Sequence, residues 1–410
     1  MQPFINLVIT RYLFAGIVLC SLSVSVLSFT SSRGTTKKDG VTNLRKSSFG
    51  LPSSSGSSSS SSLAVSTTTI SSADALEDLG LPFGLRETFL RNAHTFSKRI
   101  WVLDNSGSMC MHDGRQVLLD KGCTRWGEVE ETVNCHAQLS AAIGAPTDFR
   151  LLNSPTKGGP QTFRVGYGRQ AAKDSKRVQS MLSKSQPKGK TPLSSCIAEI
   201  RNEIVQMQPK LEAEGSKVAI VIATDGCNHD VDNIGHDHID EAQRNEDLKQ
   251  ALESLQGLPV CVVIRLCTDY GPVVDFYNDL DETLEGLDMD VLDDHKAEAE
   301  EVYRHNKWLN YSLLLHRMRE MGLENRLFDL VDQRPLTRVE IRNFCWLLYG
   351  QLDFPDPECE WLDFLRKLDE VQEGERLQLN PRTKKMESWI DVRELALLGA
   401  TDLSIASCSD

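Results

Sequence analysis

Short apolar segments alternate with segments of helical period through the middle of the chain. The apolar segments are rich in Val, Ile, Leu or Phe and are bounded by Gly, Pro or Asp, which predicts buried strands at Arg99–Asp104, Phe149–Asn153, Phe163–Gly166, Lys217–Thr224 and Val260–Cys267. The segments between them have the spacing of helices and cover Glu128–Ile143, Gln170–Ser183, Ser194–Glu214 and Ile239–Leu255. This alternation predicts an α/β fold, a doubly wound and mostly parallel sheet with helices on both faces.

The pattern changes to helical spacing alone in the last third of the chain. It predicts one long helix over His295–Met321, ended by Gly322, and a capping box at Thr337–Glu340 that opens another helix. Further helices are predicted around Trp361–Leu365 and Trp389–Leu398. We therefore predict a C-terminal helical region at 293–410, which either packs on the sheet or presents a surface to a partner.

The first seventy residues have the composition of a targeting segment. An apolar run behind Arg11 is shorter than the roughly 20 residues of a membrane span, so residues 1–28 are predicted to be a signal peptide. Residues 29–72 are basic, contain 14 Ser between Ser47 and Ser72, and cannot form a core. The predicted divisions that follow are a helical lead-in at 73–97, an α/β domain at 98–292 and the helical region.

The net charge changes sign at the boundary between the predicted targeting segment and the rest of the chain. The formal net charge is −13, and residues 1–73 carry +5, so the remainder carries −18. A body this acidic repels phosphate backbones, which argues against nucleic-acid binding. The eleven cysteines are too sparse for a disulfide-rich secreted protein, and we expect them to be mostly reduced.

A signal peptide followed by a Ser-rich, acid-poor stretch, with Phe29 at the junction, resembles the bipartite plastid-targeting presequence of algae with secondary plastids. The resemblance implies a plastid location and only transient membrane contact. An ordinary secretory signal, or an uncleaved anchor before a flexible linker, is the alternative.

A fluorescent protein fused behind residues 1–72 should enter the plastid of a suitable alga. Secretion of the fusion, or its retention at the cell surface, would contradict the plastid interpretation.

Polar side chains with oxygen ligands follow the predicted strands. Asp104, Ser106 and Ser108 follow the first strand, Asp225 follows the Lys217–Thr224 strand, and Thr191 lies just before the Ser194 helix. Because ligands of such sheets bind at the carboxyl ends of the strands, these side chains are expected to meet at one edge. Two carboxylates and three hydroxyls form an all-oxygen site, which suits a hard cation such as Mg²⁺ and not zinc or copper.

The chain carries three motifs in this order: Asp-x-Ser-x-Ser at 104–108, Thr-Pro-Leu at 191–193 and Thr-Asp-Gly at 224–226. Together they resemble the von Willebrand factor type A domain with its metal-ion-dependent adhesion site, over about 98–292. The resemblance implies that Ser106 and Ser108 bind Mg²⁺, or Mn²⁺ or Ca²⁺, directly. Asp104 and Asp225 would act directly or through water, and Thr191 would join depending on conformation. It also implies a non-enzymatic, metal-dependent adhesion module whose protein partner supplies a carboxylate.

Two other functions stay open in the sequence. The first is an accessory subunit of an ATP-driven, chelatase-like or chaperone-like assembly, although the chain shows neither an ATPase-like region nor an acidic Pro-rich linker. The second is a hydrolase, which needs a nucleophile pair that the sequence does not place.

The segment between the first motif and the first helix departs from the family. Met109–Gly127 is an insertion of roughly twenty residues, and its Val117–Cys123 part could form a hairpin over the site. Its Cys and His residues lack the spacing of a zinc module. The Cys- and His-rich loop after Asp225 is either a second metal site or a solvated acidic loop.

Overall fold

The computed structural model describes residues 72–117, 121–168, 171–226, 241–323 and 325–398. The predictions for the presequence and for the loop at 227–240 lie outside these residues. Within the described part, no helix is long and apolar enough to cross a membrane.

Helices and strands alternate through the first two thirds of the described chain. The order is α1 (Ser72–Asp78), α2 (Phe83–Thr95), β1 (Phe96–Leu103), a 3-10 turn (Gly107–Cys110), β2 (Gly114–Gln116), β3 (Lys121–Cys123), α3 (Arg125–Ile143), β4 (Thr147–Leu151), β5 (Thr162–Val165), α4 (Ala171–Leu182), α5 (Leu193–Glu214), β6 (Lys217–Thr224), α6 (Glu241–Glu253), β7 (Val260–Leu266), α7 (Gly271–Thr283) and β8 (Met289–Leu292).

Helices dominate the rest. They are α8 (His295–His305), α9 (Leu313–Glu320), α10 (Arg326–Val331), α11 (Arg338–Tyr349) and α12 (Trp361–Gln372), followed by the short strands β9 (Gln378–Leu379) and β10 (Met386–Glu387) and a helical segment at 392–398.

The central sheet has six strands in the order β5-β4-β1-β6-β7-β8. All neighbours are parallel except β4 and β5, which are antiparallel. The chain builds outward from β1 to one edge and then from β6 to the other, which is the doubly wound arrangement. The predicted α/β class with a mostly parallel sheet is confirmed.

Apolar side chains of the central strands alternate between two cores, one on each face of the sheet. Ile100 and Val102 face α5, α6 and α7, whereas Trp101 and Leu103 face α3 and α4. Because both faces are covered, β6 and β7 are apolar at almost every position, as is β1 from Ile100 to Leu103, and all three strands are nearly fully buried.

A third core joins the two ends of the described chain. Leu85 and Phe89 of α2 share it with Trp308, Phe344 and Leu348 of the C-terminal region. The helix α2 approaches the end of α11 so closely that a Cβ built on Gly84 would lie 2.1 Å from the backbone nitrogen of Gly350. The helices before the sheet therefore pack with those after it.

The single helix predicted over His295–Met321 is wrong. The structure has two helices there, α8 and α9, separated by residues 306–312. The Asn306 side chain donates to the carbonyls of Val331 and Arg334, and Leu309 forms a β-bridge with Ile390. The backbone of this segment pairs with the same distant part of the chain, since Asn310 donates to the carbonyl of Trp389 and Asp391 donates to that of Trp308, instead of forming helical hydrogen bonds. These contacts also keep Trp389 and Ile390 out of the helix predicted over Trp389–Leu398, which covers 392–398 instead. The predicted capping box at Thr337 and Glu340 is present.

Candidate functional site

The ends of β1 and β6 lie side by side at the carboxyl edge of the sheet. The backbone nitrogen of Asp104 donates to the carbonyl of Ala223 at 2.9 Å, which fixes the two strand ends in register. The loop after β1 then turns into the 3-10 turn at Gly107–Cys110, and the loop after β6 begins with Asp225. Both predicted acidic residues are thus held at one edge by a parallel strand pair.

Four of the five predicted site residues are joined to one another by hydrogen bonds. Asp104 Oδ1 accepts from the backbone nitrogen of Ser106 at 2.8 Å. The hydroxyls of Ser106 and Ser108 are 3.0 Å apart, and the Ser108 hydroxyl donates to Asp225 Oδ1 at 2.8 Å. Thr224, which the sequence analysis did not assign to the site, donates its hydroxyl to Asp104 Oδ2 at 2.7 Å.

The fifth predicted residue, Thr191, is buried on a neighbouring loop. Backbone hydrogen bonds tie this loop to the first motif, since Gly107 donates to Gly189 and Lys188 donates to Asn105. Asn153 at the end of β4 links both loops, because its side chain donates to the carbonyl of Lys190 while its backbone nitrogen donates to Asn105 Oδ1. The loop that carries Thr191 therefore lies against the Asp104–Ser108 loop.

A buried arginine that the sequence analysis missed contacts the site. Arg125, the first residue of α3, donates from Nη1 to Asp225 Oδ2 at 2.7 Å. Its Nε and Nη2 donate to the two carboxylate oxygens of Asp113 at 2.7 and 2.5 Å. These hydrogen bonds raise the pKa of Arg125 and lower that of Asp113, with the Asp113–Arg125 contact as the first cause in both cases. One guanidinium thus joins the site to the insertion.

The sequence holds no local signal for this arginine, because its pattern predicts a helix that begins at Glu128, whereas the observed helix begins at Arg125. Its role follows from the burial of Asp225, since a buried carboxylate needs a counter-charge.

Burial is the main cause of an abnormal pKa at Asp104. The residue is inaccessible to solvent, and burial, followed by repulsion from Asp225, raises the pKa of its carboxyl from 3.8 to about 6. The hydrogen bonds from Thr224 and Ser106 oppose this effect without cancelling it. The charged form of the Asp104 carboxyl is therefore only weakly stabilised by its protein neighbours.

The insertion forms a short hairpin beside the site. Strands β2 and β3 pair antiparallel, with Gly114 opposite Cys123, and the residues at 118–120 lie outside the described part. The hairpin rests on the first turn of α3, since the backbone nitrogen of Arg115 donates to Glu128 Oε2 at 3.0 Å and that of Arg125 donates to the carbonyl of Met111. The strand pairing begins at Gly114, three residues before the predicted Val117.

The oxygen atoms have the chemistry that a small hard cation requires. Carboxylate and hydroxyl oxygens are the ligands that Mg²⁺ takes in proteins, and those of Ser106, Ser108 and Asp225 lie next to one another. Their separations of 3.0 and 2.8 Å are those of ordinary hydrogen bonds, so the fit rests on the type of ligand atom. By their chemistry, the residues fit a hard divalent cation.

Among the described residues, no group of three or more His, Cys, Asp or Glu side chains is arranged to hold a metal. The candidate site is of a different kind, because it combines two carboxylates with neutral hydroxyls. The Cys and His residues of the insertion and of α3 do not converge on one point. His136, for example, is buried, and its Nε2 lies 2.7 Å from Glu320 Oε2.

No protein family and no curated protein matches the sequence. Solved structures similar to the chain include the PilB minor pilin from Streptococcus sanguinis, with 12% identity, a TM-score of 0.34, and coverage of 58% of this chain and 61% of the pilin. They also include the pilus adhesin SpaC from Lactobacillus rhamnosus GG, with 15% identity, a TM-score of 0.29, and coverage of 48% of this chain and 28% of the adhesin. The chain spans less than two thirds of the length of these structures. Similarity this low assigns no function.

Proposed function

We propose that this chain is a von Willebrand factor type A-like protein-interaction module that binds an acidic side chain of a protein partner through a divalent cation. The observation that carries the proposal is the row of side-chain oxygens from Ser106 through Ser108 to Asp225, with Asp104 hydrogen-bonded to the Ser106 backbone, at the carboxyl edge of the sheet. A plastid location, suggested by the presequence composition, is part of the same proposal.

The side chains at this edge divide into ligands and supports. The Ser106 and Ser108 hydroxyls and the Asp225 carboxylate would hold the cation, and Asp104, with both oxygens already accepting hydrogen bonds, would act through water or fix the Ser106 loop. Thr191 lies on the loop that packs against that loop. When bound, the cation supplies a Lewis-acidic position that a carboxylate oxygen can occupy. Because the hydroxyl ligands are neutral, the cation would keep much of its positive charge, which attracts the carboxylate oxygen of the partner.

Mg²⁺ should raise the melting temperature of the wild-type protein at pH 7.5 and should not change that of Asp104→Asn. Saturation at a hundred times Kd corresponds to about 2.7 kcal/mol of added stability. Without Mg²⁺, the variant should melt at the same temperature as wild type or higher, because burial disfavours the Asp104 charge. Thermal melting with Mg²⁺ and with chelator measures both effects.

The pH dependence provides an independent check. Since the folded-state pKa of Asp104 is raised from 3.8 to about 6, the folded protein retains this proton over that range while the unfolded chain loses it. Without Mg²⁺, the contribution of Asp104 to the free energy of unfolding should therefore fall by up to about 3 kcal/mol as the pH rises from about 4 to 6. The Mg²⁺ response should be smaller at pH 5 than at pH 7.5. A wild-type protein that ignores Mg²⁺ at both pH values, or an equal response in Asp104→Asn, contradicts the cation site.

A further inference from the structure

The pair Arg125–Asp113 lies at the border between the candidate cation site and the insertion. Arg125 is nearly buried, with 9% of its side chain exposed, and Asp225 is fully buried, whereas Asp113 is 49% exposed. The guanidinium donates a bidentate pair of hydrogen bonds to Asp113, from Nε and Nη2, and a single hydrogen bond to Asp225 from Nη1. One positive charge is therefore shared between a carboxylate of the site and a carboxylate of the insertion.

The two oxygens of Asp225 have different neighbours. Oδ1 accepts from Ser108, on the side of the serine hydroxyls, and Oδ2 accepts from Arg125. A cation held by Ser106, Ser108 and Asp225 Oδ1 would place a second positive charge across the same carboxylate from Arg125. The cation and the Arg125 guanidinium would repel each other, and this repulsion is large in a buried site.

We propose that Arg125 is the internal counter-ion of the candidate cation site, so that a bound cation competes with the Arg125 guanidinium for the buried Asp225 carboxylate. The inference rests on the proposed function. It assigns Arg125 a positioning role, because Arg125 acts through Asp225 and is not itself a cation ligand. Asp113 takes part in this competition, because it holds the other side of the same guanidinium.

Three features of Arg125 support a role beyond packing. It is the first residue of α3, where the helix dipole disfavours a cation, so local helix stability does not select it. Its fork pairs with both oxygens of Asp113, an orientation that lysine cannot reproduce. Its backbone nitrogen also donates to the carbonyl of Met111, so the same residue holds the insertion by its backbone and by its side chain.

Opposite changes in Mg²⁺ affinity are expected from the two members of the pair. Arg125→Gln removes a positive charge beside the site and should tighten Mg²⁺ binding by about tenfold or more, while Asp113→Asn removes a negative charge and should weaken it by a similar factor. Calorimetric titration of the full chain at pH 7.5 with Mg²⁺ alone measures both. A role in folding alone would not produce shifts of opposite sign.

The matched controls are Arg366→Gln and Asp363→Asn. These residues form an exposed ion pair on α12, 2.8 Å apart, and the same charge changes there should leave Mg²⁺ affinity within about twofold. If Arg125→Gln does not fold, Asp113→Asn still tests the inference, because Asp113 is half exposed on the insertion.

The signs of the two affinity shifts decide the inference. Shifts of the same sign in Arg125→Gln and Asp113→Asn, or unchanged affinities in both, would overturn it and leave the proposed function intact. Failure of wild type to bind Mg²⁺ would overturn the proposed function, and this inference with it.

Discussion

Replacing Glu320 by Gln should lower the free energy of unfolding by about 3–5 kcal/mol, the largest effect we expect from a single substitution in this chain. Glu320 is fully buried at the end of α9, and both its oxygens accept from Arg317 Nη1 at 2.7 Å. His136 of α3 lies 2.7 Å from Oε2, and Arg265 of β7 lies 3.4 Å from Oε1. The substitution keeps the shape but leaves Arg317 buried beside a neutral amide.

The pKa of Glu320 reflects the same balance. Burial alone would raise this pKa, but the charges of Arg317 and His316 and the hydrogen bonds with His136 and His316 outweigh burial and hold it well below its ordinary value. The carboxylate therefore stays charged, and its stabilising contribution is lost only as the pH falls through that low value. Urea unfolding followed by tryptophan fluorescence measures the effect of Glu320→Gln.

Glu370→Gln is the matched control, since it makes the same change in an exposed pair with Lys367 on α12. It should alter stability by less than about 1 kcal/mol. Equal losses in the two variants would show that the buried charge of Glu320 is not what stabilises the contact between α9, α3 and β7.

Gly84→Ala should destabilise the protein by about 2–3 kcal/mol, the cost of overpacking a tight contact. The added Cβ would lie 2.1 Å from Gly350 N and 2.8 Å from Trp346 O, and both are backbone atoms that no rotamer change can move. The helices α2 and α11 would have to separate, although alanine is the better helix former by about 1 kcal/mol. Denaturant unfolding again gives the difference in free energy.

Gly374→Ala serves as the control for the glycine experiment. Its Cβ would meet nothing within 4 Å, so its effect should stay within about 0.5 kcal/mol. A Gly84→Ala protein as stable as Gly374→Ala would mean that α2 and α11 do not approach as closely as the structure shows.

The sheet and its site edge were predictable because the signals are local. An apolar strand such as Lys217–Thr224 is bounded by polar residues, and its observed ends match the prediction. The closeness of Asp104 and Asp225 follows from the parallel pairing of β1 and β6, which alternating strands and helices imply. Their role as part of a cation site stays a prediction.

The features that sequence analysis missed depend on distant segments. Nothing local to Arg125 shows that Asp113 and Asp225 meet on its guanidinium, because that depends on how the insertion folds back. The break between α8 and α9 likewise depends on Ile390 and on the carbonyl of Arg334, far along the chain from Leu309 and Asn306. The spacing of apolar residues indicates which face of a helix is buried, but it does not identify the distant residues that pair with the segment.

The shared core of α2 and the C-terminal helices has a consequence for folding during synthesis. Residues 83–95 leave the ribosome early, but Phe344 and Leu348, which belong to the same core as Leu85 and Phe89, follow some 250 residues later. At about 5–20 residues per second, the face of α2 that packs on α11 is without that partner for roughly 13–50 seconds, although Leu139 of α3, in the same core, follows much sooner. The sheet can form in that interval, and the final docking of α2 on α11 closes a very long loop, so the apolar face of α2 stays open to aggregation or chaperone binding until then.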